Sequence, residues 1–204
     1  TGTGTTSTGS GTSDADLQVI MNANGLTSQN QDASFVKFSF VPTVEDFSFN
    51  FLFASEEYGT YQCSTSFVDT FAFILTNTVT GVSQNLAIVP NTEPPTLISV
   101  VKIKKAIFNT TCGDLNPQYF DRYNAADIGP APVGPASSAI NLKGQTKSMV
   151  ASATVTPNTL YSIKLVIGDA GDSALDSAVF LEAGSFNIGG PKITGTGVYV
   201  TTND

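Results

Sequence analysis

The sequence predicts an all-β protein, an antiparallel β-sandwich of jelly-roll-like form with long ordered loops, and three observations carry that prediction. In "DFSFNFLFA" the residues Phe47, Phe49, Phe51 and Phe53 take alternate positions, with Ser48, Asn50 and Leu52 between them. That period of two is the signature of a strand with one face in a core. Other short segments, rich in β-branched and aromatic residues and bounded by turn residues, recur along most of the chain. No segment shows a 3.6-residue apolar period, so nothing helical is expected to connect the strands, which leaves a sandwich or barrel.

Taken in order, residues 1–13, "TGTGTTSTGSGTS", have no apolar side chain to bury and read as a linker or long surface loop. Residues 14–188 read as one sandwich domain. Its strands are expected in "SFVKFSFVP", then in the phenylalanine segment, then at Val68–Thr76, Leu86–Val89, Leu97–Lys104, Ser148–Val155, Leu160–Ile167 and Ser177–Phe186. Between Asn109 and Ala139, Pro117, Pro130, Pro132 and Pro135 interrupt any ladder, so a long ordered loop is expected there. Residues 189–204 read as a linker or strand leading to a following module.

Composition narrows the function classes. The 204 residues carry a formal charge of -8, and the pI is near 4.3. The long-range field therefore repels polyanions, and nucleic acid is not an expected partner. There is no histidine, which removes Ser-His and Cys-His nucleophiles and every imidazole metal site. Any bound metal is expected to be a hard, oxygen-liganded one. No apolar run is long enough for a membrane span and no basic-then-apolar signal opens the chain, so direct membrane insertion is not expected. Cys63 and Cys112 lie in the polar settings "YQCSTS" and "NTTCGD". A buried free thiol sits more often in an apolar run, so a disulfide and an oxidising, extracellular compartment are expected, with two unpaired thiols as the alternative. A bridge closing a loop of this length would stabilise by about 4 kcal/mol in the chain-entropy model.

The acids raise the functional question. Glu56 and Glu57 stand where the phenylalanine strand ends and Asp69 where the next begins; Asp169 follows a strand and Asp176 precedes another, with Asp172 between them. If the strands meet in space, these carboxylates gather at one end of a sheet. Ionised carboxylates cannot cluster cheaply without a cation, an arginine or backbone amides, and the single arginine, Arg122, cannot serve both loops. Three readings compete. Calcium would take six to eight oxygens from such loops, although the EF-hand order is absent. Asp169 and Asp172 would otherwise shape turns around Gly171 through their own backbone. A carboxylate pair could also serve as acid and base, as in glycosidases.

The strings "FASEEY", "VDTFAFIL", "LAIVP" and "KLVIGDAGDSALDSAVFLEAGSF" are similar to the choice-of-anchor L domain of bacterial surface proteins, over roughly Asp14 to Phe186. The resemblance implies an exported domain, found in proteins that end in differing cell-surface sorting signals and frequently in type IX secretion. It implies no activity. The family's opening strands, ahead of the acidic stretch written "SDADL" here, are missing, so the chain is expected to be a piece of something longer.

The sequence thus predicts a non-catalytic, calcium-stabilised module of a large bacterial surface protein, an adhesin or a surface filament. Glu56, Glu57, Asp69, Asp169, Asp172 and Asp176 are the expected calcium ligands, and Cys63 with Cys112 the expected disulfide. Expected partners are a surface glycan or protein ligand, or neighbouring modules of the same polypeptide or filament. The alternative is a secreted carbohydrate-binding module or carbohydrate-active enzyme, with Tyr58, Tyr61, Tyr119 and Tyr123 as candidate sugar platforms. Tryptophan is absent and the phenylalanines alternate as core residues, which favours the first reading.

Overall fold

A computed structural model of the protein describes residues 12–64, 66–107, 110–124 and 138–189. Most of the expected N-terminal linker, most of the C-terminal segment and the run holding Pro130, Pro132 and Pro135 lie outside these residues.

The elements run α1 (Ala15–Ala23), β1 (Asn30–Phe40), β2 (Asp46–Ser55), β3 (Thr70–Asn77), β4 (Ser83–Asn85), β5 (Phe120–Tyr123), β6 (Gly144–Thr146), β7 (Met149–Thr154), β8 (Tyr161–Ala170) and β9 (Ser177–Leu181). One sheet has the order β1-β8-β3-β4. In the other, β5 pairs with β6, β6 and β7 lie along one edge of β2, and β9 pairs with its other edge. All of these pairs are antiparallel.

The sandwich closes over the phenylalanines of β2. Phe47, Phe49, Phe51 and Phe53 are all buried, and Phe49 and Phe51 meet Phe73 of the facing sheet at 5.0 and 4.9 Å between ring centroids, edge to face. Phe186, beyond β9, stacks on Phe49 at 4.5 Å. Such pairs add roughly 0.5–1.5 kcal/mol each to the burial itself.

Several features differ from the sequence expectation, among them the short strand β4 and the end of β9 at Leu181, short of Phe186. Residues 15–23 form a helix that carries only one clear apolar i,i+4 pair, Leu17 and Met21, too little for its period to show in the sequence. Its start is fixed by Asp14, whose side chain accepts from Leu17 N at 3.0 Å. Leu17 and Met21 then pack on Ala72, Leu97, Val166 and Ala170, covering the outer face of the first sheet.

Leu86–Val89 and Leu97–Lys104 are buried as expected but do not form strands. Pro90, Pro94 and Pro95 between them lack the N–H that a ladder needs. The segments make only single bridges, Ile88 to Leu97, Thr70 to Ser99 and Lys104 to Leu115, and still place Leu86, Val89, Ile98, Val100 and Ile103 in the core. Within the expected long loop, Phe120–Tyr123 is a strand, and it pairs with the equally unexpected β6.

Replacing Phe49 by alanine should cost about 3–5 kcal/mol, the range for a large buried ring. Urea unfolding of wild type and Phe49→Ala would check this; a loss below 1 kcal/mol would mean that the phenylalanine layer is not the centre of the core.

Candidate functional site

Strand β2 ends at Ser55 in one sheet and β3 begins at Thr70 in the other. The acids flanking these ends therefore meet between the two sheets, not at the end of a single sheet as the sequence suggested. Ser55 Oγ accepts from Glu57 N at 2.9 Å and holds the turn after β2. Glu57 Oε2 then accepts from Asp69 N, also at 2.9 Å. Asp69 Oδ2 accepts from Ser177 Oγ at 2.7 Å, at the start of β9. Both acids are buried.

The second acidic loop reaches the same place. Glu56 N donates to the Asp176 carbonyl at 3.0 Å, so Glu56 joins through its main chain. Val68 N donates to the Ala170 carbonyl at 3.2 Å. Gly171 lies so close that a Cβ there would stand 2.0 Å from Ser66 O, and its φ of +94° excludes most side chains independently. Leu175, at φ 76°, is a bulky side chain in the left-handed region, a strain of roughly 1–3 kcal/mol that the surrounding contacts sustain. Asp172 Oδ1 accepts from Ala174 N at 3.1 Å, so Asp172 does shape a turn, as one of the three readings held. Asp169 instead lies within β8, opposite Gln31.

The electrostatics follow from burial. Loss of solvent raises Glu57 to about 7, against the hydrogen bond from Asp69 N and with the help of the Asp172 and Asp169 charges. Burial also raises Asp69 well above the carboxylate range, with Glu57, Asp169 and Asp172 adding repulsion. Asp169 is raised to about 7 by burial and then by Asp32, Asp176 and Asp172. Asp32 is the acid that sequence reasoning missed. It sits in β1 at φ 46°, where the register with β8 shifts between Gln31 and Ser34, and only that bulge brings it to the cluster.

Cys63 and Cys112 are joined, and among the described residues no cysteine is free. The bridge ties the loop after β2 to the segment around residue 112, and Gln62 repeats the tie. Its backbone carbonyl accepts from Lys104 Nζ at 2.9 Å, its Nε2 donates to the Lys105 carbonyl at 3.1 Å, and its Oε1 accepts from Tyr123 OH at 2.8 Å. The model of one protein family, the choice-of-anchor L domain, matches residues 1–187. The chain belongs to that family. No curated protein sequence and no solved structure gives a significant match. Membership points to a module of a bacterial cell-surface protein, and the disulfide fits an extracellular location.

In this choice-of-anchor L domain the tyrosines are mostly engaged by the fold, and the half-exposed Tyr61–Phe67 pair lies beside Gly171 of the acidic loop. Tyr58 is fully buried and donates to the Ile103 carbonyl at 3.0 Å. Tyr119 donates to the Pro90 carbonyl and Tyr61 packs on Phe67. A cleft of about 300 Å³ beside Asp169 is lined by Asp32, Ser34, Ile167, Asp176 and Ser177, without an aromatic ring.

A carboxyl whose pKa is higher folded than unfolded takes up protons on folding. Its contribution is complete below the unfolded pKa and is lost as pH rises to the folded one. For Glu57 and Asp169 that window runs from 4.5 and 3.8 up to about 7. In chelator, the domain should therefore lose stability between these limits and level off above them, each kcal/mol lowering Tm by roughly 2–4 °C for a chain of this size. Calorimetry across that pH range checks the slope, and Glu57→Gln should flatten it.

Proposed function

We propose that this domain is a non-catalytic, calcium-binding module of an exported bacterial surface protein, an adhesin or surface filament. It would meet a surface glycan, a protein ligand or its neighbouring modules. One observation carries the reading. Asp32, Glu57, Asp69, Asp169, Asp172 and Asp176 act on one another at one end of the sandwich, and among the described residues no Lys or Arg makes an ion pair with any of them.

The donors are all hard oxygens drawn from loops and strands of both sheets, which suits calcium chemically. Among the described residues no group of three or more acids is already arranged to hold an ion. Asp69 Oδ2 is engaged by Ser177, and Glu57 Oε2 by Asp69 N. Calcium would draw those oxygens inward and hold the carboxylates ionised. It would then offset the repulsion that protons otherwise relieve, and join the loop after β2 to the loop before β9.

Calcium at a hundred times its Kd should stabilise the fold by about 2.7 kcal/mol. Thermal melts in calcium and in chelator at pH 7.5, with elemental analysis of the purified protein, test this directly. Asp69→Asn and Asp169→Asn should each diminish the response. Identical melts with no bound ion would end the calcium reading. Glycan turnover lost in Glu57→Gln would promote the enzyme instead.

A further inference from the structure

Sandwiches bury the inner faces of their sheets, yet on one side this one does not. Val36 and Phe38 share the face of β1 that lies opposite Leu165 and Ile163 of β8, and they are 61% and 38% exposed. Across the gap, Leu181 of β9 belongs to the inner face of the other sheet, beside Phe51, and is 41% exposed. Between them runs an apolar cleft of about 240 Å³, floored by Phe73, Leu165 and Ile167 and walled by Val36 and Val179. Among the described residues both of its rims, β1 and β9, are edge strands, and an uncovered edge over an apolar groove is a template for one more strand.

The chain itself leads to this cleft. Strand β1 runs toward Thr43, and the chain from β9 onward, antiparallel to β2, runs to the same end, where Thr43 N donates to the Ile188 carbonyl at 2.9 Å. Gly189 follows at φ +80°, with no room for a Cβ, which would lie 2.4 Å from Thr43 Oγ1. A chain turning back there becomes antiparallel to both rims, the connection that needs least loop.

Residues 190–204, outside the described residues, read "GPKITGTGVYVTTND". After the turn formers Gly190 and Pro191, Thr194, Thr196, Val198 and Val200 fall on alternate positions, all β-branched. From Pro191 to Thr201 the segment equals β1 in length, 11 residues. The chain also reaches the start of β1 from Thr12, whose carbonyl accepts from Ala33 N at 3.0 Å, but residues 1–11 have no apolar side chain to offer the groove.

We infer that residues 191–201 of the same chain add to the edge of β1 as an antiparallel strand, turning Val198 and Val200 into the cleft between β1 and β9 and completing the core. Hydrogen exchange of the 204-residue chain tests this. The outward amides of Phe35–Ser39 should be protected, and Val198→Asp/Val200→Asp in the full chain should reduce that protection about tenfold or more while β3 and β8 stay protected. The same variant should bind a hydrophobic dye that wild type does not. A chain ending at Gly190 should behave likewise and recover protection on addition of a synthetic peptide of residues 191–204. Equal exchange and dye binding in wild type and the aspartate variant would overturn the inference. So would protection of β1 that appears only with a concentration-dependent dimer on sizing, which would assign the groove to a second copy.

Discussion

The period-two register of the phenylalanines in β2 is the constraint on which the rest of the structure depends. β2 hydrogen-bonds to β6 and β7 on one side and to β9 on the other, and its rings form the contact with the facing sheet. A slip of one residue would turn all four rings to solvent and break the packing on Phe73 and Phe186 together. It would also move the acids. Because Ser55 ends β2 with its inward face fixed, Glu57 enters the space between the sheets. There it meets Asp69, delivered by β3 from the opposite layer.

Burial then makes that meeting consequential. Two chemistries can relieve carboxylates held in a poorly solvated space without a neighbouring cation: they share protons, or they share a metal ion. These compete, because calcium favours the ionised form that burial opposes. The framework around the acids is stiff. Gly171 touches the Ser66 carbonyl, and the loop after β2 is fastened by both the Cys63–Cys112 bridge and Gln62. Either chemistry acts on loops whose backbones are already in contact.

Much of this was legible in the sequence because its cause is local. Alternation in β2, β3, β7 and β8 comes from the pleat itself, and the polar flanks of Cys63 and Cys112 pointed to their pairing. The acids were individually visible because they punctuate strand ends. What stayed hidden depends on tertiary context. The short strands β4, β5 and β6 are too brief to alternate. Leu86–Val89 and Leu97–Lys104 look like strands since a buried apolar run and a strand share composition, and only the prolines between them separate the cases. Asp32 could not be assigned because a bulge is set by its partner strand. Gln62 carries no motif, since its ties to Lys104, Lys105 and Tyr123 reach residues more than forty positions away.

The described chain enters and leaves at opposite ends of one strand. Thr12 is bonded to Ala33 near the start of β1, and Ile188 to Thr43 just past its end. Those points are ten residues apart, roughly 30 Å along a strand. Tension between them would run parallel to β1, and it would act first on the Thr12–Ala33 bond and α1 at one end and on the pairing of the β9 chain with β2 at the other. Traction along the strands, and not across them, is thus the direction that this strand order sets for whatever pulls on the two ends of the described chain.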